Sequence, residues 1–400
     1  MERISISLMI PLLAAVIASV PSAVNAQPRV YLMNPSRLEE VRKLPPGDRS
    51  VAPALKRLLR DAEKSLRVHP LSVTQKDSVP PSGDKHDFMS LSPYWWPDPN
   101  KPDGRPYIRR DGEFNPEREA FPDEKNLDRM IAAVSTLALA HFFTGEGSYA
   151  AHATELLRVW FIDSATQMNP NLNYAQAIRG RTEGRGSGII ESHQFPILLD
   201  AIDLLAGGGG IAETDVKALR TWFSEYLTWL RESPNGRHER DAKNNHGSWY
   251  DVQIVRAALF VGERSLALKT LEESKQRRIA SQIEPDGTQP MELARTKAEG
   301  YSTFNLQALT TLAAIGKRVG VDLWEYETAD GRSIRKALDF MLPYYVGEKT
   351  WTYPQIAPIK TKDVWMLLRA AASLGGARYA EAAAQLSIPN AASDRINLIY

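Results

Sequence analysis

The sequence predicts an all-α fold, an (α/α) toroid or incomplete barrel of helical hairpins with long N-terminal loops. Three observations carry this expectation. From "LDRMIAAVSTLALAHFFTG" to "KDVWMLLRAAASLGG", apolar residues recur at helical spacing in one segment after another. Strand-like alternation is almost missing. The connections are short or medium, and helices joined in that way pack as antiparallel neighbours, for which a ring of hairpins is the economical arrangement. With 400 residues, 43% of them hydrophobic, the chain can bury a sizeable core.

Taken in order, the chain begins with Met1, Glu2 and Arg3, then the apolar run "ISISLMIPLLAAVIASV", then "PSAVNA" with small residues at Val24 and Ala26. Residues 1–26 are therefore expected to be a signal peptide. Residues 27–400 are expected to form a single catalytic domain acting in the periplasm or outside the cell. The apolar run is short for a membrane span, and no later stretch could cross a bilayer, so no membrane partner is expected after cleavage.

Up to about residue 125 the chain is rich in proline and turn residues, as in "LPPGDRS", "VPPSGDKHDF" and "SPYWWPDPNKPDGRPYIRRDGEFNPE". Proline removes amide donors and fixes φ, so this region reads as loop wrapped on a scaffold, interrupted by a helix over about 51–66. Helices then follow in "YAAHATELLRVWFI", "ESHQFPILLDAIDLLAG", "TDVKALRTWFSEYLTWLRES", "WYDVQIVRAALFVG", "RSLALKTLEESKQRRIASQI", "STFNLQALTTLAAIGKRVG" and "GRSIRKALDFMLPYYVG". Thr214 reads as an N-cap, and Gly145, Gly207, Gly316 and Gly375 stand where helices should stop. "PNGRHERDAKNN" reads as loop.

Four stretches carry more hydrogen-bonding chemistry than a scaffold needs. "RDAKNNHGSWYDVQ" sets Lys243, Asn244, Asn245, His246, Trp249 and Tyr250 at a junction between helices, where inter-helix loops of a ring build a site. A helix cap with a satisfied histidine is the plain alternative. "EPDGTQPMELARTKAEGYSTFNLQ" places Glu292, Arg295 and Tyr301 just before a helix, the arginine offering a planar fork for a carboxylate and the tyrosine an ionisable hydroxyl. "RGRTEGRGSGIIESHQF" supplies Arg181 and Arg185 among glycines, then Glu191, Ser192, His193 and Gln194 opening a helix; a flexible surface loop would read the same way. "KHDFMSLSPYWWPDPN" holds Trp95 and Trp96, flat faces suited to pyranose rings, although core plugging explains one of them equally well.

"NNHGSWY" and "ELARTKAEGYSTFNL", with "KHDFMSLSPYWWPDP" and "GRGSGIIES", resemble the alginate lyase superfamily of helical-toroid polysaccharide lyases. The resemblance is to the branch that cleaves alginate or related polyuronates such as glucuronan, and spans roughly residues 85–370. In the better-known periplasmic members the first motif reads closer to Asn-Asn-His-Ser-Tyr-Trp, which suggests a sister family. The resemblance implies β-elimination: the C5 proton of a uronate is removed, the 4-linked oxygen leaves, and an unsaturated sugar remains. It implies Tyr301 as Brønsted base, acid or both, and His246 as carboxylate stabiliser or as base for the opposite C5 epimer. Arg295 would lower the Tyr301 pKa. The remaining carboxylate neutraliser would be Asn245 or a polar residue of the preceding hairpin, His193 first and Gln194 next. Arg181, Arg185 and Lys243 would bind neighbouring uronates, and Trp95, Trp249 or Tyr250 would stack on sugars, with Trp96, Asn244 and Glu292 close by.

This mechanism needs no metal and no cofactor, and the chain has no cysteine and no convincing set of metal ligands. The expected partner is an anionic polysaccharide. Nucleic acid is not expected, because 49 basic residues against 48 acidic ones leave a net charge of +1 and no global field. Two alternatives stay open from the residues alone: a glycoside hydrolase on the same toroid, using Glu191 with Glu292 or Asp241, and a non-catalytic polyuronate-binding protein.

Overall fold

The computed structural model describes residues 28–45 and 47–400, so the expected signal peptide lies outside it. Helices α1 (Pro35–Lys43) and α2 (Ala52–Ser65) come first. The proline-rich region follows with three short strands, β1 (Met89–Leu91), β2 (Trp95–Trp96) and β3 (Ile108–Arg109). Then come α3 (Asp123–Thr144), α4 (Gly147–Phe161), β4 (Tyr174–Ala177), α5 (Phe195–Gly207), α6 (Glu213–Glu232), α7 (Pro234–Arg240), α8 (Asn245–Val261) and α9 (Arg264–Ser274). The last are α10 (Pro290–Leu293), α11 (Ala298–Val319), α12 (Ile334–Tyr345), α13 (Thr361–Ser373), α14 (Ala377–Gln385) and α15 (Ile396–Ile399). β1 pairs in parallel with β4, and β2 antiparallel with β3.

The helices form two layers. α3, α5, α8, α11 and α13 neighbour one another in succession, while α4, α6 and α9 stack behind them. α8 is buried on every face, as a helix must be when it has a neighbour on each side and another behind it. One apolar cluster runs through the whole arrangement, from Val30 to Leu398. Inside it, the fully buried Arg256 of α8 binds Asp200 and Asp203 of α5. Asp200 also accepts the N–H groups of Tyr31, Leu32 and Met33, tying the N-terminal segment into the ring.

The two ends of the described residues meet there too. α15 packs on α1 and α2, Asn34 N–H donates to the Ile399 carbonyl, and the Tyr400 hydroxyl donates to Leu32. In the proline-rich region, the buried Lys76 ammonium reaches Asp123 at the start of α3 (2.9 Å) and two main-chain carbonyls, fixing the loops on the scaffold.

Several sequence expectations need correction. Residues 234–240 are helical, because Ser233 caps the Gly236 N–H and Pro234 starts the turn, an N-terminal signal hidden by the turn-like Asn-Gly pair. Thr214 lies inside the first turn of α6, whose N-cap is Ala212. Gly316 is internal to α11: the Val321 carbonyl crosses where a Cβ would stand, and the helix stops at Gly320 (φ 95°). Residues 186–192 form a 3-10 helix ahead of α5. The segment after α9 widens into a π-helix over 275–280.

Candidate active site

A cleft of about 770 Å³ opens beside the first turns of α8 and α11, covered on one side by the loops around β2 and β3. Asn244 is the N-cap of α8, so Asn245 and His246 occupy its first turn. Three partners hold that turn. Glu239 of α7, almost fully buried, meets His246 Nδ1 at 2.6 Å, and a carboxylate there accepts a hydrogen bond from Nδ1–H, leaving Nε2 as the ring nitrogen available to the cleft. Glu292 accepts the Asn245 main-chain N–H at 2.6 Å and its amide NH2 at 2.8 and 3.0 Å. Burial raises the Glu292 carboxyl, against the opposing pull of Asn245. Arg278, from the π-helix, donates to the carbonyls of Arg240 and Ala242 and pairs with the buried Asp251 of α8. Gly247 is required here, since a Cβ would strike the Ala242 carbonyl and Arg278.

Across the cleft, Tyr301 stands in the first turn of α11. Its ring lies 3.7 Å from the Arg295 guanidinium carbon, and its hydroxyl donates to the Tyr94 hydroxyl at 2.7 Å. Burial first, then Tyr94, pushes the Tyr301 hydroxyl well above the usual phenol range, and Arg295 only partly offsets this. Arg295 does pull the Tyr301 hydroxyl down, as expected, but burial and Tyr94 outweigh it, so in the free protein Tyr301 stands as a neutral donor. Arg295 is itself clamped by Asp111, which accepts from Nε and Nη2 at 3.0 and 2.7 Å and leaves Nη1 without a hydrogen-bond partner among the described residues. Burial works against the Asp111 charge, but Arg295 and the Thr296 N–H hold its carboxyl well below the usual range.

The floor comes from β1, β4 and the 3-10 helix. Arg185 donates to Ser92 and Gln176 at 2.7 Å each, and Ser90 donates to Glu191 at 2.6 Å. Gln176 holds a left-handed backbone (φ 52°), an unfavourable conformation for a non-glycine residue. The glycines of "GRGSG" are packing residues rather than a flexible loop. A Cβ on Gly184 would overlap Asn173, one on Gly186 His238, and one on Gly188 Ala175.

Of the residues singled out from sequence, Tyr301, His246, Arg295, Asn245, His193, Asn244, Lys243, Arg185, Trp95, Glu191 and Asp241 line this cleft. The others do not. Tyr250 is core, donating its hydroxyl to Leu230. Trp249 lies behind His193, ring to ring at 5.2 Å, and Trp96 turns its indole N–H to the Glu113 carbonyl. Gln194 binds Asp128, Glu292 stands behind Asn245, and Arg181 stacks on Trp95 and donates to the Tyr107 carbonyl. His193 also changes role. Burial lowers it to about 4, so it is neutral near pH 7, and its Nδ1–H is spent on the Ile190 carbonyl at 2.8 Å. Its free nitrogen is an acceptor and cannot neutralise a carboxylate.

Sequence reasoning passed over Glu239, Asp111 and Tyr94. Tyr94 adjoins the noted tryptophan pair, whereas the two acids sit in segments read as loop. Among the described residues, no group of three or more acids and histidines is placed to hold a metal ion, and no helix is long and apolar enough to cross a membrane.

The chain is similar to an alginate lyase from Bacteroides ovatus, with 42% identity and a TM-score of 0.88 over 93% of this chain and 98% of that one. It shares its fold with alginate lyase A1-III from Sphingomonas species A1, at 16% identity and a TM-score of 0.58 over 91% and 93% of the two chains. The same fold is seen in an A1-III variant complexed with a tetrasaccharide, at 16% identity and a TM-score of 0.55 over 90% and 98%. No curated protein matches the chain. The alginate lyase family matches residues 72–351, which take in β1 to β4, α3 to α12 and the whole cleft. The chain therefore belongs to the alginate lyase family and is a polysaccharide lyase with an α/α toroid fold.

Proposed function

We propose that the protein depolymerises alginate by β-elimination in this cleft, leaving 4,5-unsaturated uronate ends. The observation that carries the proposal is the meeting of His246, Arg295 and Tyr301 around one cleft, each oriented by a separate partner: Glu239, Asp111 and Tyr94. Elimination needs the uronate carboxylate neutralised while the weakly acidic C5 proton leaves, and it needs a donor for the departing O4. Arg295 supplies the first through Nη1, which has no hydrogen-bond partner among the described residues, with the Glu292-oriented Asn245 lining the same cleft. Tyr301, a neutral phenol, supplies the second.

The base depends on the sugar. In guluronate C5–H and O4 lie on opposite faces, and His246 Nε2 takes the proton. In mannuronate and glucuronate they share a face, so Tyr301 serves both steps: its minority ionised form, which Arg295 favours, takes the C5 proton and passes it to the departing O4. Glucuronan is therefore a further substrate to try. We extend the proposal to export through residues 1–26 and to action of residues 27–400 as one domain in the periplasm or outside the cell.

The test is ultraviolet absorbance over time on polymannuronate, polyguluronate and glucuronan. The wild type should give a rising signal on at least one alginate block, and Tyr301→Phe should abolish it on all. His246→Gln should lower the polyguluronate rate at least tenfold more than the polymannuronate rate, by analogy with loss of one positioned base. Reducing ends without ultraviolet absorbance would refute elimination.

A further inference from the structure

Beneath the residues assigned to elimination, the cleft floor holds a buried carboxyl that the mechanism above does not use. Glu191 is 4% exposed, lines the cleft, and has one oxygen satisfied by Ser90 while Oε1 has no hydrogen-bond partner. A buried polar atom without a partner costs stability unless a ligand completes it. Its surroundings are built rather than accidental. Ser90 Oγ also accepts the Gln176 N–H at 2.7 Å, and Gln176 adopts the left-handed backbone noted above and holds Arg185. Arg185 Nε is a second unpartnered buried atom of the same floor.

We infer that Glu191, acting as a carboxylic acid, donates a hydrogen bond to the carboxylate of a bound uronate and so makes polyuronate binding depend on its own proton. This rests on the lyase reading above. The charged and titratable groups facing it from neighbouring elements are Arg185 at the head of its own 3-10 helix, Arg118 before α3, Glu124 and Asp128 on α3, Glu239 on α7, and His193 beside it. The arginines favour the ionised form, but burial prevails and raises Glu191 to about 7. Below that pH the acid donates to the incoming carboxylate; above it, two like charges meet in a buried site and binding weakens. A sugar carboxylate is the group selected, because a hydroxyl would bind the ionised form at least as well.

The experiment is the pH dependence of KM and kcat on sodium alginate, followed by ultraviolet absorbance from pH 5.5 to 9 for wild type, Glu191→Gln, Glu191→Leu and Ser90→Ala. In the wild type KM should rise above neutrality and approach tenfold per pH unit, the slope of a single required proton. Glu191→Gln donates from an amide at every pH, and its KM should stay flat over the same interval. Glu191→Leu should show a high KM throughout. Ser90→Ala loses the donor that favours ionisation, so its rise should begin at higher pH. A KM that climbs equally in wild type and Glu191→Gln would overturn the inference and assign the proton to another group, such as His246. A glutamate with only a structural role would shift the melting temperature in these variants and leave the slopes alike. Absence of an ultraviolet signal from the wild type on every polyuronate would instead refute the lyase reading itself.

Discussion

At the scale of single residues, the site depends on pairs in which a buried acid orients a working group. Glu239 fixes which nitrogen of His246 carries the proton, so Glu239→Gln would offer an amide that can hold the wrong tautomer. A fall in kcat on polyguluronate on the order of a hundredfold is expected, with a much smaller change on polymannuronate; equal losses on both would show that His246 is needed for carboxylate binding instead. Glu191 makes a second prediction, about stability. Its carboxyl is raised in the folded chain, so between the ordinary carboxyl range and about pH 7 the folded state holds more protons than the unfolded one. Stability therefore falls as pH rises through that window and is level above it. The melting temperature of Glu191→Gln, relative to wild type, should improve from pH 5 to 7 and then hold steady.

These acids also mark the limit of what the sequence revealed. His246, Arg295 and Tyr301 could be singled out because chemistry-bearing residues crowd together along the chain. Asp111 stands 184 residues from Arg295 and resembles any other Asp-Gly turn until the fold brings it across the cleft. Glu239 was hidden for a different reason, since a proline, an asparagine and a glycine at the start of α7 imitate a loop.

At the scale of elements, α8 and α11 were legible from their apolar recurrence, but their first turns were not. The reading began α8 at Trp249, because Asn245 to Ser248 carry no apolar signal, and this missed that His246 belongs to a helix held by its neighbours. The holding element is the π-helix after α9. Arg278 reaches from it to Asp251 and to two carbonyls of the α7–α8 turn, all in buried surroundings. Arg278→Met should cost about 3 kcal/mol in denaturant unfolding, because it leaves the buried Asp251 only the longer contact to Arg277 at 3.5 Å and removes the donor to the Ala242 carbonyl. Adding Asp251→Leu should recover part of that stability without recovering activity, since the α7–α8 turn would still lack its clasp. Full recovery of activity in the double variant would show that the turn positions itself.

At the scale of the whole molecule, the two layers of helices were predictable, whereas the union of the chain ends was not. It relies on main-chain hydrogen bonds between segments with no pattern of their own, such as Asn34 to Ile399, and on an aspartate that gathers three successive N–H groups. Deleting residues 396–400 removes the buried Ile396 and Leu398 from beside α1 and α2. At about 1.5–3 kcal/mol for each buried side chain, the melting temperature should drop by roughly 5–10 °C. An unchanged transition would mean that the closure contributes nothing to cooperativity.

The glycines that touch main chain around the cleft have a consequence for reading variation. Gly184, Gly188, Gly236 and Gly247 each lie where an added methyl would meet a main-chain carbonyl, of Asn173, Ala175, Leu230 and Ala242 respectively. In a saturation library selected for activity they would tolerate replacement as poorly as Tyr301 does, although they present no side chain to a sugar. Selecting the same library for folded abundance would part the two classes: the glycine variants would vanish from both screens, and Tyr301→Phe only from the first.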